Sequence, residues 1–233
     1  MRDDLRHVQE VFWKWYLDET LKSGPYDFLI CNGDMVDGEG KKGTLDTAMT
    51  DVRKQAEAAE EILAHANVPS DYTFLVRGSP FHTNGAGEYE DKIADDIGCS
   101  IKDTQKIEVE GWKIHSRHVV GRSDIPYGQA TPLLKELARV EAEAFRDAKD
   151  APDIIIRGHV HYSCFTGKHG RIAIDCPCLC LPTASANGRR YMAWEYDVGF
   201  GVLELDHDYE PIYHPVIMPM HDIHDGAYEC VKW

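Results

Sequence analysis

Residues 153–161 read Asp153-Ile154-Ile155-Ile156-Arg157-Gly158-His159-Val160-His161. Three consecutive β-branched apolar residues describe a strand buried on both faces of a sheet. A glycine then breaks the strand, and two imidazoles follow at once. The same pattern occurs twice more. Residues 27–31, DFLIC, lead into Asn32-Gly33-Asp34, and residues 72–76, YTFLV, lead into Arg77-Gly78-Ser79-Pro80-Phe81-His82. Helical spacing separates these runs. Residues 3–22 repeat Leu5, Val8, Phe12, Trp15 and Tyr16, and residues 47–66 repeat Ala48, Val52, Ala56, Ala59, Ile62 and Leu63. Further helices are expected over 87–97 and over 131–149, the latter with Thr131 as its cap and Pro132 at its first position. Strands alternating with helices predict an α/β fold with buried sheet strands.

Outward from these runs, QKIEVEG and WKIHSRH (105–118) read as paired strands broken at Gly111. Residues 119–130 form a loop, and RIAIDCPCLCLP and GVLELD supply later strands, so the sheets are mixed. A length of 233 residues suits one substantial domain, and 43% hydrophobic content excludes a disordered chain. Lys and Arg number 25 against 40 Asp and Glu, a formal charge of −15, which repels an extended nucleic-acid backbone. A small phosphorylated substrate or a nucleic-acid end, held by a local metal site, stays compatible with that charge. No run of 18 apolar residues and no signal-peptide core are seen, so no membrane partner and a cytoplasmic location are expected. Seven cysteines, an odd number, argue against a disulfide framework. In an extended segment Cys176, Cys178 and Cys180 project from one face, as core packing or as a thiolate metal site.

The C-terminal ends of strands are where open α/β sheets place their sites. The candidate ligands there are Asp34, His118, His159 and His161. Imidazole and carboxylate suit zinc, manganese or iron, and the Asp34 carboxylate could bridge two ions that clamp a phosphoryl group. His82 can serve as general acid or transition-state donor, and Ser79 as weak ligand or turn residue. There is no HExxH and no GxxxxGK[ST], which excludes that class of zinc protease and the P-loop ATPases.

The blocks Gly33-Asp34, Gly78 to His82, His118 and Gly158-His159-Val160-His161 resemble, in order and spacing, the calcineurin-like metallophosphoesterase superfamily. The stretch from about 5 to 206 looks like the branch common in bacteriophages, through FWKWYL (12–17), NGDMVDG (32–38) and RGSPFH (77–82). The resemblance implies a sandwich of two mixed β-sheets flanked by helices. It implies Asp34 as bridging carboxylate and catalytic centre, His118 and His159 on one ion, and His161 on the other. Ser79 stands nearest the family's Asn ligand, with His82 displaced from its usual place. The implied cofactors are one or two divalent ions (Mn, Fe, Zn or Ni). The implied reaction is hydrolysis of a phosphodiester or nucleotide-type ester by metal-bound hydroxide, in the host cytoplasm if phage-encoded. The family's first block, Asp-x-His on a strand ahead of the first helix, has no counterpart there, since Asp4-Leu5-Arg6-His7 has the wrong spacing. Three explanations follow: the first strand is omitted from the sequence as given, the protein works with one metal or is impaired or non-catalytic with a partial metal site, or Asp222-Ile223-His224 supplies the block in permuted order. On this basis residues 1–213 form the domain and 214–233 a C-terminal strand or tail completing the core. A partner subunit, giving a homo-oligomer, would fill the same gap.

Overall fold

The computed structural model describes residues 3–38, 49–80, 88–123, 125–168, 170–180 and 196–219, with side chains from residue 9 onward. The elements run α1 (Asp3–Ser23), β1 (Leu29–Cys31), α2 (Val52–Ala64), β2 (Thr73–Val76), α3 (Glu88–Ile97), β3 (Ser100–Lys102), β4 (Gln105–Val109) and β5 (Trp112–Ser116). They continue with α4 (Ala130–Arg146), β6 (Ile154–Arg157), β7 (Cys164–Lys168), β8 (Arg171–Asp175), β9 (Gly199–Asp206) and β10 (Tyr209–Ile217). This is an α/β fold with β-sheets flanked by helices. Strands β1-β2-β3 are parallel, β9 and β10 form an antiparallel hairpin, and β4-β5-β6-β8-β7 form a mixed five-stranded sheet.

The pleat of β6 explains the layering. Ile154 and Ile156 face inward, with Ile114 and Ile174 of their own sheet, onto Phe28, Ile30, Leu203, Leu205 and Tyr213. Ile155 points the other way, onto Leu133, Leu137 and Val140 of α4. A third cluster sets Val52, Ala56 and Ala59 of α2 and Ile93 and Ala94 of α3 around Leu75 of β2. Each fully buried aliphatic side chain contributes about 1.5–3 kcal/mol relative to exposure. Helices therefore cover the outer faces, and the apolar run that began the sequence reading is buried on both sides.

Several boundaries differ from expectation for local reasons. Helix α2 starts at Val52 because the Asp51 carboxylate accepts from the Arg53 N–H at 3.0 Å and caps it there. Helix α4 begins at Ala130 and ends at Arg146, so Thr131 and Pro132 lie inside its first turn, and Gln129 precedes it without a side-chain cap. Proline is tolerated there because first-turn N–H groups have no intrahelical acceptor. Strand β3 carried too few apolar residues to be anticipated. Strand β8 ends at Asp175, so the three cysteines do not share a straight strand. Cys176 packs between the sheets, and Cys178 forms an isolated bridge to Val198. Burial pushes both thiols up to about 12. Among the described residues no cysteine joins a ligand cluster of three or more. Residues 214–217 are the second half of β10 and pair with β9. Among the described residues no helix is long and apolar enough to cross a membrane.

The alternation that buries Ile155 also buries a charged pair. Arg157 and Asp175 are register partners on the α4 side, both fully buried. Arg157 donates from Nε and Nη2 to Glu136 Oε2 at 3.1 and 3.0 Å, and from Nη1 to the carbonyls of His115 and Ile156. Neither oxygen of Asp175 has a hydrogen-bond partner among the described residues. Burial raises the Asp175 carboxyl to about 8, against the pull of Arg157. An ordinary unfolded aspartate titrates near ~3.9. The folded state thus holds one more proton than the unfolded state between those values. Stability from this group is present below about pH 4 and is lost as pH rises toward about 8. In urea unfolding, Asp175→Asn should leave low-pH stability nearly unchanged and gain on the parent by up to about 1.4 kcal/mol per pH unit across that window. A stability difference that stays flat from pH 4 to 8 would contradict a protonated Asp175.

Candidate metal centre

Strand β1 ends at Cys31, and the chain turns through Asn32, Gly33 and Asp34. Gly33 has φ +85°, and a Cβ there would stand 2.7 Å from Gly78 Cα and 2.9 Å from His118 Nδ1. A Cβ on Gly78 would stand 2.2 Å from Asp34 Oδ1. The ends of β1 and β2 are thus pressed together at two glycines, and no larger residue fits either place. Asp34, His159 and His161 all have left-handed backbones, with φ 54°, 74° and 65°. That conformation costs an L-residue roughly 1–2 kcal/mol. Such strain clusters where a site over-determines the backbone. The turn after Gly158 is what separates the aims of His159 and His161, which a straight strand would have placed on one face.

The Asp34 carboxylate is held from beneath. The Ser79 N–H donates to Oδ1 at 2.6 Å, and Ser79 Oγ lies 3.4 Å from Oδ2. His118, just beyond β5, is buried. Its Nδ1 lies 2.5 Å from the Asn32 carbonyl, an acceptor only, so Nδ1 carries the proton. Asn32 is itself fixed by the Ser116 hydroxyl, which donates to Oδ1 at 2.9 Å. His118 Nε2 then faces Asp34, with Oδ2 at 2.8 Å. That contact is close in distance but lacks hydrogen-bond geometry, and the buried Nε2 has no hydrogen-bond partner among the described residues. Burial pulls His118 down, but Asp34 and the Asn32 carbonyl together outweigh it, and its net shift is upward. The His159 ring stands edge-on to that of His118, centroids 5.2 Å apart.

Ligand atoms of Asp34, His118 and His159 all lie within 4.8 Å of one another. A carboxylate, two imidazoles and a buried Nε2 without an aligned partner fit a divalent cation of the zinc, manganese or iron type. His161 is not in this group. Its ring packs edge-on against Tyr196 at 5.0 Å, and its carbonyl accepts from the Asp197 N–H at 2.9 Å. Ser79 contacts the Asp34 carboxylate through its N–H and hydroxyl. His82, Asp222 and His224 lie outside the described residues.

Two residues of the site escaped the sequence reading. Asn32 orients His118 through its main chain, a role no side-chain pattern announces. Glu90, in α3, is fully buried, and its two oxygens accept from the N–H groups of Met35 at 3.1 Å and Gly78 at 2.8 Å. Burial raises its carboxyl, opposed by those two N–H groups. Glu90 thereby ties the Asp34 turn to the Gly78 turn. In the sequence it sits in Glu88-Tyr89-Glu90-Asp91, and nothing there distinguishes it from its solvated neighbours.

No family model matches the chain, and no curated protein matches it. Among solved structures, an archaeal phosphodiesterase aligns at 15% identity over 93% of this chain and 94% of its own, with a TM-score of 0.49. Wild-type Vps29 from Entamoeba histolytica, solved in complex with Zn+2, aligns at 14% identity over 81% and 97%, with a TM-score of 0.41. Vps29 from Chaetomium thermophilum aligns at 10% identity over 85% of each chain, with a TM-score of 0.46. Scores below 0.5 leave the functional case to the residues themselves.

Removing the Glu90 clamp should loosen both turns. Glu90→Ala leaves two N–H groups without their acceptor and should cost about 1–3 kcal/mol in urea unfolding. It should also weaken divalent-ion binding measured by calorimetry. Glu90→Gln keeps one acceptor oxygen and should fall between parent and alanine. Parent-like stability and affinity in Glu90→Ala would remove the clamp role.

Proposed function

We propose that this chain is a protein of the calcineurin-like metallophosphoesterase type that keeps a partial metal site: one divalent ion at Asp34, His118 and His159, with phosphoester hydrolysis impaired or absent. The observation that carries this reading is the convergence of those three ligands, with His161 outside the group. The family assignment itself rests on the ordered blocks Gly33-Asp34, Gly78 to His82, His118 and Gly158 to His161. When bound, a divalent ion supplies Lewis acidity toward a phosphoryl oxygen.

The chain's own residues do the rest. Asp34 contributes the negative charge, and the Ser79 N–H orients its carboxylate. Asn32 fixes the tautomer and direction of the His118 ring, the outer support that metal-bound imidazoles require. Glu90 holds the turns in register. The ligand class is a small phosphorylated molecule, because a chain at −15 disfavours a long polyanion.

The second reading is full metal-dependent hydrolysis of a phosphodiester or nucleotide-type ester. It is favoured by the openness of the centre, since His159 is exposed. In that reading His82 donates to the phosphoryl group or the leaving oxygen, and His161, Ser79, Asp222 and His224 complete the ligands. The bacteriophage-type branch rests on the sequence motifs alone.

Elemental analysis and turnover of an aryl phosphodiester with Mn²⁺ separate the two. We expect one ion per chain, lost in Asp34→Ala and in His159→Ala, and no turnover above background. Manganese-dependent turnover lost in both variants would establish the second reading instead. A parent that retains no ion with any divalent metal would overturn both.

A further inference from the structure

We infer that Arg122 is a positioning residue of the candidate metal centre, closing a main-chain bracket that aims His159 at His118. The inference deepens the reading above and rests on it for the identity of the ligands. The two loops concerned follow neighbouring strands. Residues 117–122 run out of β5 and residues 158–162 out of β6, and β5 and β6 are parallel register partners. Both loops therefore leave the sheet in the same direction, side by side.

The loops are tied at two points of main chain, one on each side of His159. Before it, the Gly158 N–H donates to the His118 carbonyl at 2.9 Å. After it, Arg122 Nη1 donates to the Val160 carbonyl at 3.2 Å. Both ties end on the short segment that carries His118. The two imidazoles are thus set on one frame, and their rings meet edge-on at 5.2 Å. His161 has an anchor from a different part of the chain, the Asp197 N–H on its carbonyl.

The second tie falls on the strained part of the turn. His159 and His161 are left-handed, at φ 74° and 65°, and Val160 lies between them. L-residues resist that conformation, and it persists only where the surroundings over-determine it. The Val160 side chain is buried against Val120 and Tyr162. That packing fixes its Cα but not the plane of the peptide that follows, which turns with ψ of Val160 and φ of His161. The Arg122 donor acts on that plane through the Val160 carbonyl.

Arg122 is itself held for this task. Its side chain is half-buried, and its Cζ stands over the buried Tyr162 ring, 6.0 Å from the centroid. That is the outer limit of cation–π attraction, about 6 Å. A guanidinium carries donors only and stays protonated, so its bond to a carbonyl does not depend on pH. Its charge and its positioning act on the site in opposite senses. A positive charge beside a cation site repels the ion, so removing the charge alone would tighten binding. Removing the bracket lets His159 turn away from His118 and weakens binding.

The test combines calorimetric titration of Mn²⁺ into the full chain with the histidine ring-proton shifts of the metal-free chain by NMR. Arg122→Ala should weaken manganese binding about tenfold or more, the usual loss when the outer support of a ligand imidazole is removed. It should also move the His159 ring-proton shifts in the metal-free state, through altered stacking on His118, while leaving those of His214 on β10 in place. Arg122→Lys keeps the charge and a donor and should recover part of both. Arg122→Met keeps the stem without the donors and should behave as alanine does, which covers the case in which Arg122→Ala misfolds. Manganese affinity equal to or tighter than the parent's in these two variants overturns the proposal, as does weaker affinity with His159 shifts unmoved. A parent that binds no manganese sinks the metal reading, and the metal-free shifts then decide the bracket: moved His159 shifts uphold it, and parent-like shifts overturn it.

Discussion

Two parallel strand ends cannot ordinarily approach closely enough for their turns to touch, because side chains hold them apart. Here Gly33 and Gly78 remove that obstacle, and a Cβ on Gly78 would fall 2.2 Å from Asp34 Oδ1. The contact that results lets the Ser79 N–H reach the Asp34 carboxylate and brings Glu90 under both turns. His118 then closes the arrangement from the second sheet, anchored on the Asn32 carbonyl. The candidate ligand group is thus a consequence of close backbone packing, with Gly78 against Asp34 and Gly33 against His118.

This packing is unfavourable taken by itself. Left-handed conformations at Asp34, His159 and His161 and a fully buried glutamate all oppose folding. They persist because the helices and sheets around them bury apolar surface on both faces of β2 and β6. A bound cation would offset part of the opposition by neutralising Asp34 beside Glu90. The candidate site and fold stability meet at the same few residues, as is usual where a site over-determines its backbone.

The electrostatics of the second sheet extend beyond its core. Arg157 and Asp175 lie directly opposite in register, yet Arg157 spends its donors on Glu136 and on carbonyls. Asp175 is left without a hydrogen bond among the described residues and is favoured as the neutral acid. Glu136 therefore answers for three arginines at once, Arg157, Arg139 and Arg117.

The alternation of apolar runs and helical spacing determined the α/β class, the succession of most elements, and the ends of β1, β2 and β6 as the place for chemistry. A glycine followed by potential ligands after a buried strand is a local signal, and it pointed to Asp34, His159 and His161 alike, whereas His118 was indicated only by its place at the end of a histidine-bearing strand and by the family resemblance. Strand β3 and the start of α4 were not legible, since short pairings and uncapped ends depend on neighbours rather than on local preference. Asn32 and Glu90 act through a main-chain carbonyl and through paired N–H groups contributed from elsewhere in the chain. Which histidines converge was likewise decided only in three dimensions, where φ values of 74° at His159 and 65° at His161 turn two near neighbours toward different surroundings. Sequence spacing specifies which side chains are available; the direction each one takes is set by backbone dihedrals that only the packed turns can hold in place.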